Sequence, residues 1–126
     1  MAPAGEGLRR EAQLEVPGVS IHVVDVSRGV VASGMKVELY GPDKRLVAAG
    51  PASAKGLLEV AETVPAGAYE AVFHVGAWYR EQRVSLPDVP FLDVVRYHFG
   101  IADPRQHYHL PFKCTPWGYS CFRGGA

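Results

Sequence analysis

Residues able to do chemistry gather in His107 to Gly125, HYHLPFKCTPWGYSCFRGG. Read with a period of two, His107, His109, Pro111 and Lys113 fall on one side of a strand. Tyr108, Leu110, Phe112 and Cys114 fall on the other and are apolar throughout, which marks a core face. The first side therefore presents two imidazoles and an amine to water, a ligand or a neighbouring subunit. Imidazole gives and takes protons near neutral pH. An amine can act as a base, form a Schiff base with a carbonyl or, protonated, hold an anion. It can equally be an exposed strand lysine that discourages sheet-to-sheet pairing. After a tight turn, a second strand sends Ser120 and Phe122 to the side of Lys113, while Arg123 goes with Tyr119 and Cys121. His107 and His109, with His22 as a third ligand, are the conceivable zinc set. No carboxylate is placed to complete it, so neither a metal nor a cofactor is expected.

Short apolar runs between turn signals must position these groups. They are Val19 to Val26, Met35 to Tyr40, Leu46 to Ala49, Leu57 to Ala61, Ala68 to His74, Leu92 to Phe99, His107 to Cys114 and Tyr119 to Arg123. Eight short strands with Gly/Pro punctuation predict an all-β sandwich or barrel. Only Ala77 to Arg83 has helical character. The first strand puts Ile21, Val23 and Asp25 on one side and His22, Val24 and Val26 on the other. Both sides are largely apolar, which a solvated outer face does not require. The chain has too few residues for another layer, so subunit association through that face is expected.

The chain has 126 residues and 13 basic against 13 acidic side chains, which predicts one domain and argues against a nucleic-acid partner. Met1 to Pro17 is Ala/Gly/Pro-rich and charged, and reads as a disordered tail before a domain over 18–126. It lacks the apolar core of an export signal, and no segment has transmembrane length, so a cytoplasmic protein without membrane contact is expected. Cys114 and Cys121 are then expected as reduced core thiols.

SIHVVDVSRG (Ser20 to Gly29), YEAVFHVGAWY (Tyr69 to Tyr79) and HYHLPF…TPWGYSCFRGG resemble the transthyretin-like family, and within it the 5-hydroxyisourate hydrolases. The similarity runs from about Val19 to Gly125. It implies a transthyretin-like eight-stranded β-sandwich with one short helix, assembled as a homotetramer whose dimers face each other across a channel. It also implies active sites in that channel which hydrolyse a small-molecule substrate, 5-hydroxyisourate.

The family's working set is a His on the first strand, an Arg after a Gly in mid-chain, the second His of HYH and the Ser of a terminal YRGS. The matching positions are His22, Gly56-Leu57, His109 and Phe122-Arg123-Gly124-Gly125. Both His are kept, the guanidinium is replaced by Leu57, and the Ser by Gly125. Lys113 stands where an apolar residue is usual. In a channel crossed by a twofold axis, burial and its symmetry mate would lower the pKa of Lys113. The resemblance thus implies proton handling by His22 and His109; the period-two reading adds Lys113 as a source of charge or nucleophilicity. Ser120, Phe122, Arg123, Leu57 and Val24 are the expected substrate contacts. Loss of the Arg points to a rebuilt site that hydrolyses or rearranges a small polar cyclic or carbonyl-containing metabolite, 5-hydroxyisourate or a changed substrate of specialised metabolism. The alternative is a non-catalytic carrier of the transthyretin type, with Phe122, Val24 and Lys113 receiving an aromatic anion.

Overall fold

The computed structural model describes residues 17–125. The expectation for residues 1–16 lies outside them. Strands β1 (Gly18–Asp25), β2 (Val30–Val31), β3 (Lys36–Tyr40), β4 (Leu46–Pro51), β5 (Leu57–Val60) and β6 (Gly67–His74) come first. Helix α1 (Val75–Glu81) follows, then β7 (Val94–Ile101), β8 (His107–Thr115) and β9 (Gly118–Cys121). One sheet has the order β2-β1-β8-β9, with β5 also paired to β1; the other has β4-β3-β6-β7. The eight expected strands are present, joined by the two-residue β2, which is too short to leave a periodic signal.

The two sheets pack through the faces that alternate apolar residues in the sequence. Val19, Ile21 and Val23 of β1, with Tyr108, Leu110, Phe112 and Cys114 of β8, are buried against Val37, Leu39, Ala71, Phe73 and Val95. Phe73 and Phe112 stack across the sandwich with centroids 3.8 Å apart. Burying each such ring stabilises the fold by about 1.5–3 kcal/mol. The core thiols are free, and burial pushes Cys114 up to about 11 and Cys121 up to about 12. Both stay protonated and behave as small apolar groups.

The helix begins two residues earlier than the spacing predicts. Strand β6 ends at His74, and Val75, Trp78 and Tyr79 turn inward immediately. Arg83 adopts a left-handed φ of 58°, so the helix cannot continue to the expected Arg83 end. From α1, Tyr79 donates a hydrogen bond to the fully buried Asp25 carboxylate at 2.7 Å. Arg28 and Ser27 also donate to Asp25, at 2.6 and 2.5 Å. Burial opposes the charge, but these donors outweigh it and hold the carboxyl below its usual range. This cluster fixes the far end of β1, the strand that carries His22.

Candidate active site

Pairing of β1 with β8 and β5, and of β8 with β9, assembles one polar row on the outer face of the sheet. Parallel register with β8 sets Ser20 beside His109, His22 beside Pro111 and Val24 beside Lys113. Antiparallel register with β5 sets Leu57 beside His22 and Glu59 beside Ser20. Register with β9 sets Ser120 beside Lys113. Laterally paired residues share a face, so these side chains lie together, away from the core. The structure therefore brings His22, His109, Val24, Leu57, Lys113 and Ser120 onto one surface.

Lys113 is exposed, and its Nζ lies 5.8 Å from the ring centre of Phe122, itself exposed. That is within cation–π range and adds Phe122 to the surface. Arg123 is not part of it. Its guanidinium stacks on the Tyr108 ring at 4.0 Å and donates to Gln106 Oε1 at 3.1 Å. Tyr108 belongs to the opposite face of β8, so Arg123 covers the sandwich edge, away from the row of His22 and His109.

Beside His22, Gly56 is required sterically. It has φ +76°, and a Cβ there would lie 2.7 Å from the Val23 carbonyl oxygen and 3.4 Å from His22 Cδ2. That close passage brings the loop down on β1, and Nε2–H of His22 donates to the Lys55 carbonyl at 3.1 Å. On the other flank the chain after β9 folds back, and the Gly124 N–H donates to the His109 carbonyl at 2.8 Å. A Cβ on Gly124 would meet the Pro111 ring at 2.7 Å. A Cβ on Gly125 would lie 3.6 Å from His109 Cβ, so this segment passes close to that imidazole.

Spacing alone did not single out the group that ties this row together. Ser20 is nearly buried, and its Oγ lies 2.6 Å from His109 Nδ1 and 2.8 Å from His107 Nε2. The signal was available, because Ser20 precedes His22 by two residues and so shares its face. Burial and the neighbouring His107 and His22 push the His109 imidazole below its usual range, while hydrogen bonding to Ser20 opposes this. The neutral form of His109 is therefore favoured. His74 and His98 lie on the other sheet, paired with Glu38 and Glu70. Among the described residues, no three His, Cys, Asp or Glu side chains converge as a metal site needs. No helix there is long and apolar enough to cross a membrane.

Known proteins share this arrangement of strands. Residues 19–124 match the model described as the HIUase/Transthyretin family. The 5-hydroxyisourate hydrolase 2 of Rhizobium meliloti (strain 1021) is 40% identical over 114 residues, covering 84% of this chain and 94% of that protein. The solved structure of Klebsiella pneumoniae 5-hydroxyisourate hydrolase superposes with a TM-score of 0.74 at 29% identity, covering 86% of this chain and 99% of that one. Sea bream transthyretin in complex with thyroxine gives the same TM-score at 22% identity, covering 86% and 95%, and so shares the fold.

Proposed function

Because the chain belongs to the HIUase/transthyretin family, we propose that it is a hydrolase-like enzyme acting on a small polar cyclic carbonyl compound. The substrate is 5-hydroxyisourate or a changed relative, bound where the outer faces of two β1–β8 sheets meet in a homotetramer. The observation that carries this reading is the shared outer face of His22 and His109, two strands brought into register by β1–β8 pairing. His22 accepts a proton from water, and the hydroxide adds to the ring carbonyl carbon. The carbon–nitrogen bond then breaks, and the leaving nitrogen takes the proton back from His22. Lys113 supplies positive charge at the next rung, with Phe122 and Val24 forming an apolar wall and Ser120 a polar edge.

Leu57 beside His22 and Gly125 beside His109 are what distinguish this site from the family pattern. A guanidinium can stabilise a developing oxyanion; an isobutyl group cannot. This substitution favours a lowered rate on 5-hydroxyisourate or a different substrate. The pairing of Lys113 with Phe122 favours a second reading, a carrier that binds an aromatic anion without turnover.

One assay separates the readings: decay of freshly generated 5-hydroxyisourate with and without the protein. Acceleration that disappears in His22→Gln and His109→Gln supports the hydrolase. An unchanged decay rate rejects 5-hydroxyisourate as substrate, and tight binding of an aromatic anion without its consumption would favour the carrier.

A further inference from the structure

Ser20, His107 and His109 form a chain whose proton positions can be deduced. A hydroxyl has one proton, so Ser20 Oγ donates to one imidazole and accepts from the other. Two arrangements satisfy both contacts. In the first, His107 carries its proton on Nε2 and donates to Ser20, which donates to His109 Nδ1. In the second the order is reversed, and His107 carries its proton on Nδ1.

His107 Nδ1 is buried and has no hydrogen-bond partner among the described residues. An orphaned buried N–H is rarer and more costly than an under-used acceptor lone pair, so the first arrangement wins. His109 then carries its proton on Nε2, which no acceptor among the described residues occupies. His22 is set in the complementary sense. A carbonyl only accepts, so the Lys55 contact places the His22 proton on Nε2 and leaves Nδ1 with a free lone pair.

We propose that Ser20 and His107 are positioning residues that lock His109 as a neutral Nε2–H donor to the substrate oxyanion, leaving His22 as the sole base. The inference rests on the hydrolase reading above. In this scheme His109 transfers no proton. It donates a hydrogen bond to the oxygen that becomes negative when hydroxide adds, the task a guanidinium at position 57 would otherwise share. A neutral imidazole suits it, because a donor that keeps its proton needs no partner to restore it. The low affinity of His109 for a second proton agrees. The groups facing His109 are His107 on its own strand, Ser20 and His22 on β1, Glu59 beyond Ser20 on β5, and Gly124 and Gly125 on the returning chain.

Long-range nitrogen–proton NMR of the ¹⁵N-histidine-labelled full-length protein reads each tautomer directly, with His109→Gln assigning the resonance. At pH 7.5 His109 should be Nε2-protonated. Ser20→Ala should shift it to a mixture of tautomers, and Ser20→Thr should keep it single. On whichever substrate turns over, Ser20→Ala should lower kcat by at least about tenfold, as misplaced tautomers do, with little change in KM. Ser20→Thr should restore it. A His109 protonated on Nδ1 in the unmodified protein, or a tautomer that ignores Ser20→Ala, overturns the proposal. The tautomer result does not depend on turnover. A correct tautomer in a protein that hydrolyses nothing would defeat the hydrolase reading, and with it the oxyanion role.

Discussion

Placing a guanidinium at position 57 is the most direct probe of the candidate site. Leu57 is directly across from His22 on a half-buried outer face, with paired Cβ atoms about 5 Å apart. An Arg there can reach the open surface without moving the backbone, whose N–H stays with Ser53 Oγ at 3.2 Å. A preorganised donor aimed at a developing oxyanion contributes about 3–4 kcal/mol to the rate barrier. An opposing effect comes from His22, which becomes an imidazolium as water is deprotonated. At a separation of ~6 Å the two cations repel by about 3 kcal/mol at an effective dielectric near 20, and by under ~1 kcal/mol in bulk water. A half-open face falls between these limits, at about 1.5 kcal/mol. The net gain is about 1.5–2.5 kcal/mol, so Leu57→Arg should raise kcat/KM for 5-hydroxyisourate by roughly tenfold or more. Leu57→Met fills the same space without charge and should leave the rate unchanged. The assay is absorbance decay of substrate made in situ, corrected for its spontaneous loss. Equal rates for the Arg and Met variants, with matched denaturation midpoints, would refute the idea that position 57 faces the reacting carbonyl.

Three further outcomes are expected. Tyr79→Phe removes one of several donors to the buried Asp25 carboxylate and should cost about 1.5–2 kcal/mol, whereas Asp25→Ala, which strands Tyr79 and Arg28, should cost about 3–5 kcal/mol in urea unfolding at fixed protein concentration. Because the Asp25 carboxyl is held below its ordinary value of 3.8, its stabilisation is full above that pH and fades as pH falls through the lower folded-state value. The Tyr79→Phe deficit should shrink in strong acid, and a constant deficit would contradict the charge-assisted bond. His109 is depressed below its ordinary value of 6.5, so the unfolded chain takes up that proton first as pH falls. Stability should decline from about that pH downward and level off below the folded-state value, and His109→Gln should flatten this part of the curve. Gly124→Ala drives a methyl into the Pro111 ring, since a Cβ would sit 2.7 Å from it. It should displace the returning segment from His109 and lower turnover while Gly118→Ala, with open space around it, leaves turnover intact.

The amphipathic alternation of β1 and β8 is a local property, set by the two-residue period of a strand, so the sequence alone determined which side chains leave the core. The core face Tyr108, Leu110, Phe112 and Cys114, and the outward turn of His107, His109 and Lys113, needed nothing more. The motifs around Ser20, Tyr69 and His107 likewise carried the sandwich, its short α-helix and the family. Lateral placement was a different matter. Parallel pairing of β1 with β8 joins residues almost ninety positions apart, and period two is silent about which rung meets which. Only the tertiary structure put Ser20 between two imidazoles, Leu57 against His22, and Arg123 on Tyr108 away from the row. The helix shift and the left-handed stop at Arg83 were decided the same way, by burial of Trp78, which donates to the Ser33 carbonyl, and of Tyr79, which reaches Asp25 of β1. Side-chain direction is written in the local pattern, whereas hydrogen-bond partners are chosen by packing between strands distant in sequence.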